Sequence, residues 1–84
     1  MEEFVVYILY SCKFQKSYVG YTSDLIDRFK SHNSLSTKGF TIKFRPWEVA
    51  YVEAFTSKRE AIKREKYLKT GVGRELVKAI ISRI

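Results

Sequence analysis

Disulfide chemistry is closed to this sequence: it has one cysteine, Cys12, in 84 residues. A lone thiol is the usage of a reducing compartment. With a single histidine beside it, there is no Cys/His clustering for a structural zinc site. No apolar run approaches the roughly 20 residues of a membrane span. The opening Met1-Glu2-Glu3 is acidic, unlike a signal or transit peptide. Internal repeats and low-complexity stretches are lacking, as are a Walker loop and any Ser-His-Asp spacing. The expectation is a soluble cytoplasmic protein forming one domain over residues 1–84.

Acidic residues are also few. Nine Asp and Glu face 16 Lys and Arg, a formal net charge of +7. An excess of this size at this length points first to nucleic acid and second to anionic membrane. The plainer alternative is that the charge only aids solubility. Apolar residues make up 45% of the chain and aromatic residues 15%, so one small core can form without metal or disulfide staples.

Phe4 to Tyr10 is β-branched and aromatic on both parities, which predicts a central strand covered on both faces. Ser11 to Lys16 is a short polar link, and Ser17 to Tyr21 is the returning antiparallel strand. Pairing Tyr10 with Ser17 sets Leu9 opposite Tyr18 and Tyr7 opposite Gly20. Tyr7 and Tyr18 are then diagonal neighbours on one face, with space left beside them by Gly20. A slip of one residue would part the two rings.

Ser23 is the expected cap of a first helix, whose buried stripe is Leu25, Ile26 and Phe29. Arg28 and His32, four residues apart, border that stripe. Asn33 is the expected stop. Residues 34–46 show no period and carry Lys38, Lys43 and Arg45 among Phe40 and Phe44. Such a loop can track a backbone and stack on bases, or its two Phe can tuck beneath it. Trp47 to Phe55 is the third strand, placed beside the first.

Ser57 and Glu60 form a capping box that opens a second helix, with Ala61, Ile62 and Leu68 on its apolar arc. Glu65 projects into that arc, where a carboxylate needs a partner or a metal. Lys69, one turn on, can pair with it. Gly71 reads as a helix terminator and Gly73 as a hinge. The last helix follows, with Leu76, Val77, Ile80, Ile81 and Ile84 as one stripe. The class is α+β: a three-stranded antiparallel sheet flanked by about three helices, in the order β-β-α-β-α-α.

The polar groups turned toward shared space are Tyr7, Tyr18, Arg28, His32 and Glu65. They offer one carboxylate for a hard cation, a guanidinium for a phosphate, and phenol or imidazole for a proton. Each has an ordinary alternative: strand tyrosines, a helix border for Arg28 and His32, and a helix-stabilising pair for Glu65 with Lys69.

Taken together, Val5-Val6-Tyr7, Tyr18-Val19-Gly20, Arg28, His32 and Glu65 resemble the GIY-YIG nuclease domain family in order and rough spacing. The likeness covers nearly the whole chain and is nearest to small single-domain members related to the N-terminal domain of the excision-repair nuclease subunit. Val5 stands where the first motif has glycine. Tyr21 stands where repair-nuclease members often carry lysine, and no asparagine follows Glu65.

The resemblance implies metal-dependent hydrolysis of DNA phosphodiester bonds, structure-directed or in repair and processing. Tyr18 would activate the attacking water, and Tyr7 would orient it or bind the phosphate. Arg28 would neutralise phosphoryl charge, and His32 would assist proton movement. Glu65 would hold one Mg²⁺ or Mn²⁺. Gly20, Tyr21, Lys38, Lys43, Arg45 and Lys69 are the candidate substrate-binding residues. The expected partner is DNA, or RNA, with no membrane, and with room for a protein that delivers substrate. The alternatives are a weakly active or inactive nucleic-acid-binding module of the same fold, and a protein-interaction domain.

Overall fold

Residues 3–30, 33 and 43–83 are described in the structure, a computed structural model. The strands are β1 (Phe4–Ser11), β2 (Lys16–Thr22) and β3 (Glu48–Phe55); the helices are α1 (Leu25–Lys30), α2 (Lys58–Leu68) and α3 (Gly71–Ile81). Their order is the β-β-α-β-α-α read from the sequence, and the class is α+β. The sheet is antiparallel with spatial order β2-β1-β3. The apolar β1 therefore occupies the centre, with both of its faces covered.

The β1–β2 register matches the expected one: Tyr10 opposite Ser17, Leu9 opposite Tyr18, and Tyr7 opposite Gly20. The short turn between the strands leaves little freedom to slip. Alternation then divides the core in two. Val6, Ile8 and Val19 face α2 and α3, where Ala61, Leu68 and Val77 complete one buried cluster. Tyr7 and Leu9 face the other way and bury Trp47, with Leu25, Phe29 and Phe44 packed around them.

β3 departs from simple alternation. The register with β1 shifts between Ile8 and Leu9, so Ile8 pairs with Tyr51 while Leu9 pairs with Val49. This bulge turns Ala50 onto the helix-covered core and leaves Val49 exposed. Further along, β3 is tied to α2 by Glu53. Its carboxylate accepts from Arg64 Nε at 2.8 Å and Nη2 at 3.1 Å, and from the Tyr51 hydroxyl at 2.7 Å.

Three expectations are corrected. The cap of α1 is Asp24 rather than Ser23: the Asp27 amide donates to Asp24 Oδ1 at 3.1 Å. The Asp24 amide itself donates to Thr22 Oγ1 at 3.0 Å, which turns the chain and starts the helix one residue later. Ile26 is not part of the buried stripe; it is 71% exposed. A helix of six residues buries one narrow seam, and Leu25 and Phe29, at i and i+4, fill it.

The third correction concerns the two glycines. Lys69 and Thr70 alone separate α2 from α3, and Gly71 is the first residue of α3 rather than the end of α2. Thr70 serves both helices. Its hydroxyl donates to the Tyr67 carbonyl at 2.6 Å and accepts from the Gly73 amide at 3.2 Å. Gly73 is no hinge; it lies in the first turn of α3, pressed against the end of α2. A Cβ there would overlap the Tyr67 carbonyl and come within 2.5 Å of Leu68 Cα.

Candidate active site

A cleft of about 350 Å³ opens where β2, α1 and α2 meet. Tyr7, Tyr18 and Gly20 come to it from the hairpin, Arg28 from α1, and Glu65 from α2. Four of the five expected catalytic residues therefore share one hollow. His32 and Lys38 lie outside the described residues. Tyr21 also lines the cleft, whereas Lys43 and Arg45 do not.

Strand register brings the two phenols together. The Tyr7 and Tyr18 ring centroids are 6.3 Å apart, with planes inclined by 32°. Gly20 makes the pair possible. An ideal Cβ at that position would stand 2.6 Å from the Tyr7 phenol oxygen and 3.1 Å from Tyr18 Cε1. Trp47 supports the far side of Tyr18, edge-on at 6.5 Å. Asn33 in turn holds Trp47 by its backbone: the Asn33 amide donates to the Trp47 carbonyl at 3.0 Å and accepts from the Trp47 amide at 2.6 Å.

The two phenols sit in different surroundings. Tyr7 is only 2% exposed. Burial raises its pKa first and the neighbouring Tyr18 raises it next; Arg28 pulls the other way, and Glu65 adds a further upward push. Tyr7 thus keeps its proton and is a hydrogen-bond donor. Tyr18 is half-exposed at the cleft and has the Lys69 ammonium 5.9 Å above its ring.

Among the described residues, Glu65 is the only carboxylate lining the cleft. Its side chain is 17% exposed and its Oε2 lies 3.3 Å from Lys69 Nζ, the partner expected one turn on. Groups of three or more His, Cys, Asp or Glu suited to a metal are absent among the described residues. The donor set is thus one carboxylate beside open space. That suits a hard cation that keeps its waters and shares a substrate phosphate, and does not suit a closed structural site.

One cation was missed by reading the sequence. Lys58, at the start of α2, lines the same cleft, as do Phe4, Thr22 and Ser23. A signal for Lys58 was present. It precedes Glu65 by seven residues, two helical turns, so the two share a face of α2. Arg28 and Lys58 make the mouth positive around the acid. Phe44, one of the two loop aromatics, tucks into the core beside Phe14 at 5.6 Å.

Comparison with known proteins finds related sequences and structures. A family model described as the GIY-YIG catalytic domain matches residues 3–76. The chain is 36% identical over 83 residues to a UPF0213 protein of Staphylococcus haemolyticus, covering 99% of this chain and 100% of that one. It is 43% identical over 58 residues to the UPF0213 protein YazA of Bacillus subtilis, spanning 69% of this chain and 59% of the relative. A solution NMR structure of a UPF0213 protein from Bacillus halodurans superposes with a TM-score of 0.55 at 31% identity, covering 93% of this chain and 84% of that one. No helix among the described residues is long and apolar enough to cross a membrane.

Proposed function

The chain belongs to the GIY-YIG catalytic domain family, and we propose that it is a divalent-metal-dependent endonuclease that hydrolyses phosphodiester bonds in DNA. The observation that carries this reading is the meeting of Tyr7, Tyr18, Arg28 and Glu65 at one open, positively rimmed cleft.

In this mechanism Tyr18 acts as its phenolate, its own proton having left to solvent, and takes a proton from the attacking water to become the neutral phenol. Water oxygen bonds to phosphorus as the bond to the leaving oxygen breaks, and the leaving oxygen gains a proton from solvent. Tyr7 donates its phenol hydrogen bond to the water or to a phosphoryl oxygen. Arg28 offsets the charge that builds on the phosphoryl oxygens, and Lys58 adds a second positive contact. His32, from the sequence pattern, assists proton movement near Tyr18. Glu65 would hold a Mg²⁺ or Mn²⁺ ion, which when bound would supply polarisation of the phosphate. With so small a cleft, action is directed by DNA structure or ends, as in repair or processing, rather than by long sequence. The setting is the cytoplasm.

The test is incubation with nicked, branched and single-stranded DNA in Mg²⁺, Mn²⁺ or EDTA. Scission that needs the ion and falls about 10²–10⁴-fold in Tyr18→Phe, and is lost in Glu65→Gln, supports the reading. Salt-sensitive binding without scission in any condition overturns it and leaves a nucleic-acid-binding module.

A further inference from the structure

A second groove, of about 460 Å³, runs between the start of β2 and the helices α2 and α3. Tyr18 and Lys69 belong to it. Tyr18 also lines the catalytic cleft, and Lys69 is bonded to that cleft's carboxylate. The two hollows are therefore neighbours that share Tyr18 in their lining.

The rim of the groove carries four cations, Lys16, Lys69, Arg74 and Lys78, and no carboxylate among the described residues lines it. All four are exposed. Two have acidic neighbours. Lys69 pairs with Glu65, and Lys78 lies 3.7 Å from Glu75, a pair some three-quarters exposed on both sides and so weak. Lys16 rests over the Phe44 ring at 5.6 Å. The floor differs in kind. Val19, Leu68 and Val77 close it from the core side and are buried, and Ile81 is its partly exposed aliphatic residue.

Cations along an edge attract a phosphate backbone, whatever its sequence. The accessible part of the floor, Tyr18 and Ile81, can take the flat face of a base, the tyrosine by stacking. A base can enter such a floor only when it is not stacked in a duplex. The geometry points to this groove as the seat of the unpaired strand that flanks the scissile phosphate, with its phosphates on Lys16, Arg74 and Lys78 and a base against Tyr18 and Ile81. Lys69, at the junction, holds the strand where it passes into the cleft. This inference rests on the nuclease reading for the direction of the strand, though the binding surface can be measured without catalysis.

The experiment uses the full chain in EDTA with labelled short oligonucleotides: a DNA strand, the same RNA strand, and the DNA duplex. Affinity is read by anisotropy across a salt series. The expected result is that at least one single strand binds more tightly than the duplex. Arg74→Ala with Lys78→Ala should lower the slope of log K against log salt by about 1.4, near 0.7 for each phosphate no longer neutralised. Removing the same charge at Arg59 and Lys63, which line neither hollow, should leave the slope unchanged. Circular dichroism should show both double variants folded, since the four charged heads face solvent.

An unchanged slope in the Arg74/Lys78 variant, or duplex bound at least as tightly as both strands, overturns the inference even if scission is observed. If scission is absent under every condition while the slope falls as expected, the groove stands and the nuclease reading falls. The DNA and RNA arms identify which strand is taken.

Discussion

Gly20 lies directly beneath the Tyr7 phenol: a Cβ built on it would be 2.6 Å from the oxygen and 2.7 Å from Cζ. Because Tyr7 is buried, its ring has little room to retreat. Gly20→Ala should therefore be destabilised by about 1–3 kcal/mol, the usual penalty for overpacking. Displacing a reacting group by about an ångström costs on the order of 10²-fold. Urea denaturation and single-turnover cleavage read the two effects. Wild-type values for both would mean that this close approach does not set the site.

Tyr7 should not shape the response of cleavage to pH. The pKa of Tyr7 is raised by burial and by its neighbours, so it remains a proton donor throughout the neutral and mildly alkaline range. Tyr7→Phe should slow cleavage yet keep the shape of the pH–rate curve. Loss of the curve's rising limb in that variant would transfer the base role to Tyr7. The raised value also predicts that folding stability, full below an unfolded tyrosine's pKa of about 10, declines as pH rises past it.

Glu53 governs the acid side. Burial works against its carboxylate, but the hydrogen bonds from Arg64 and Tyr51 and the Arg64 charge outweigh it, and the pKa is lowered. A lowered folded value gives stability that is present above the ordinary carboxylate pKa and is lost as pH falls through the folded one. Glu53→Gln should cost roughly 1 kcal/mol at neutral pH, a charge-assisted interaction discounted for partial exposure. It should also flatten the fall in melting temperature below about pH 4.5. An unaltered acid limb would show that other carboxylates set it.

Asn33→Ala removes both hydrogen bonds to the Trp47 backbone. Loss of two part-buried hydrogen bonds should destabilise the chain by about 1–3 kcal/mol. Tryptophan emission should shift to the red as Trp47 loosens. Emission and stability equal to wild type would show that the clamp is dispensable.

Gly73→Ala is expected to be more damaging than any of these. The new methyl meets backbone, at the Tyr67 carbonyl and Leu68 Cα, rather than a side chain that can swing away. Overpacking of about 3 kcal/mol or more should follow. Gly71→Ala, with nothing within 4 Å of its Cβ, should be tolerated, and denaturation of the pair side by side separates packing from backbone freedom. Similar losses in both would reject the packing explanation.

Those two glycines also mark where local sequence stops being informative. Gly-Val-Gly looks like helix termination, and local chemistry says nothing of the neighbouring helix that excludes a side chain at Gly73. The hairpin is legible because a short link and strict alternation leave one register that suits both tyrosines. Glu65 and Lys69 are legible because a helix repeats every 3.6 residues. Ile26 misleads because a pattern of three apolar residues does not show how narrow a six-residue helix's buried seam will be. Lys58 requires knowing that the start of α2 and the helix α1 border one cleft, a tertiary fact, although its helical phase with Glu65 is visible in the sequence.

Trp47 is the chain's single tryptophan, buried and edge-on to Tyr18. The molecule thus carries its own optical probe beside the phenol assigned to catalysis. Whatever ligand, ion or strand disturbs Tyr18 should register in the intrinsic emission of the unlabelled protein, so occupancy can be followed separately from turnover.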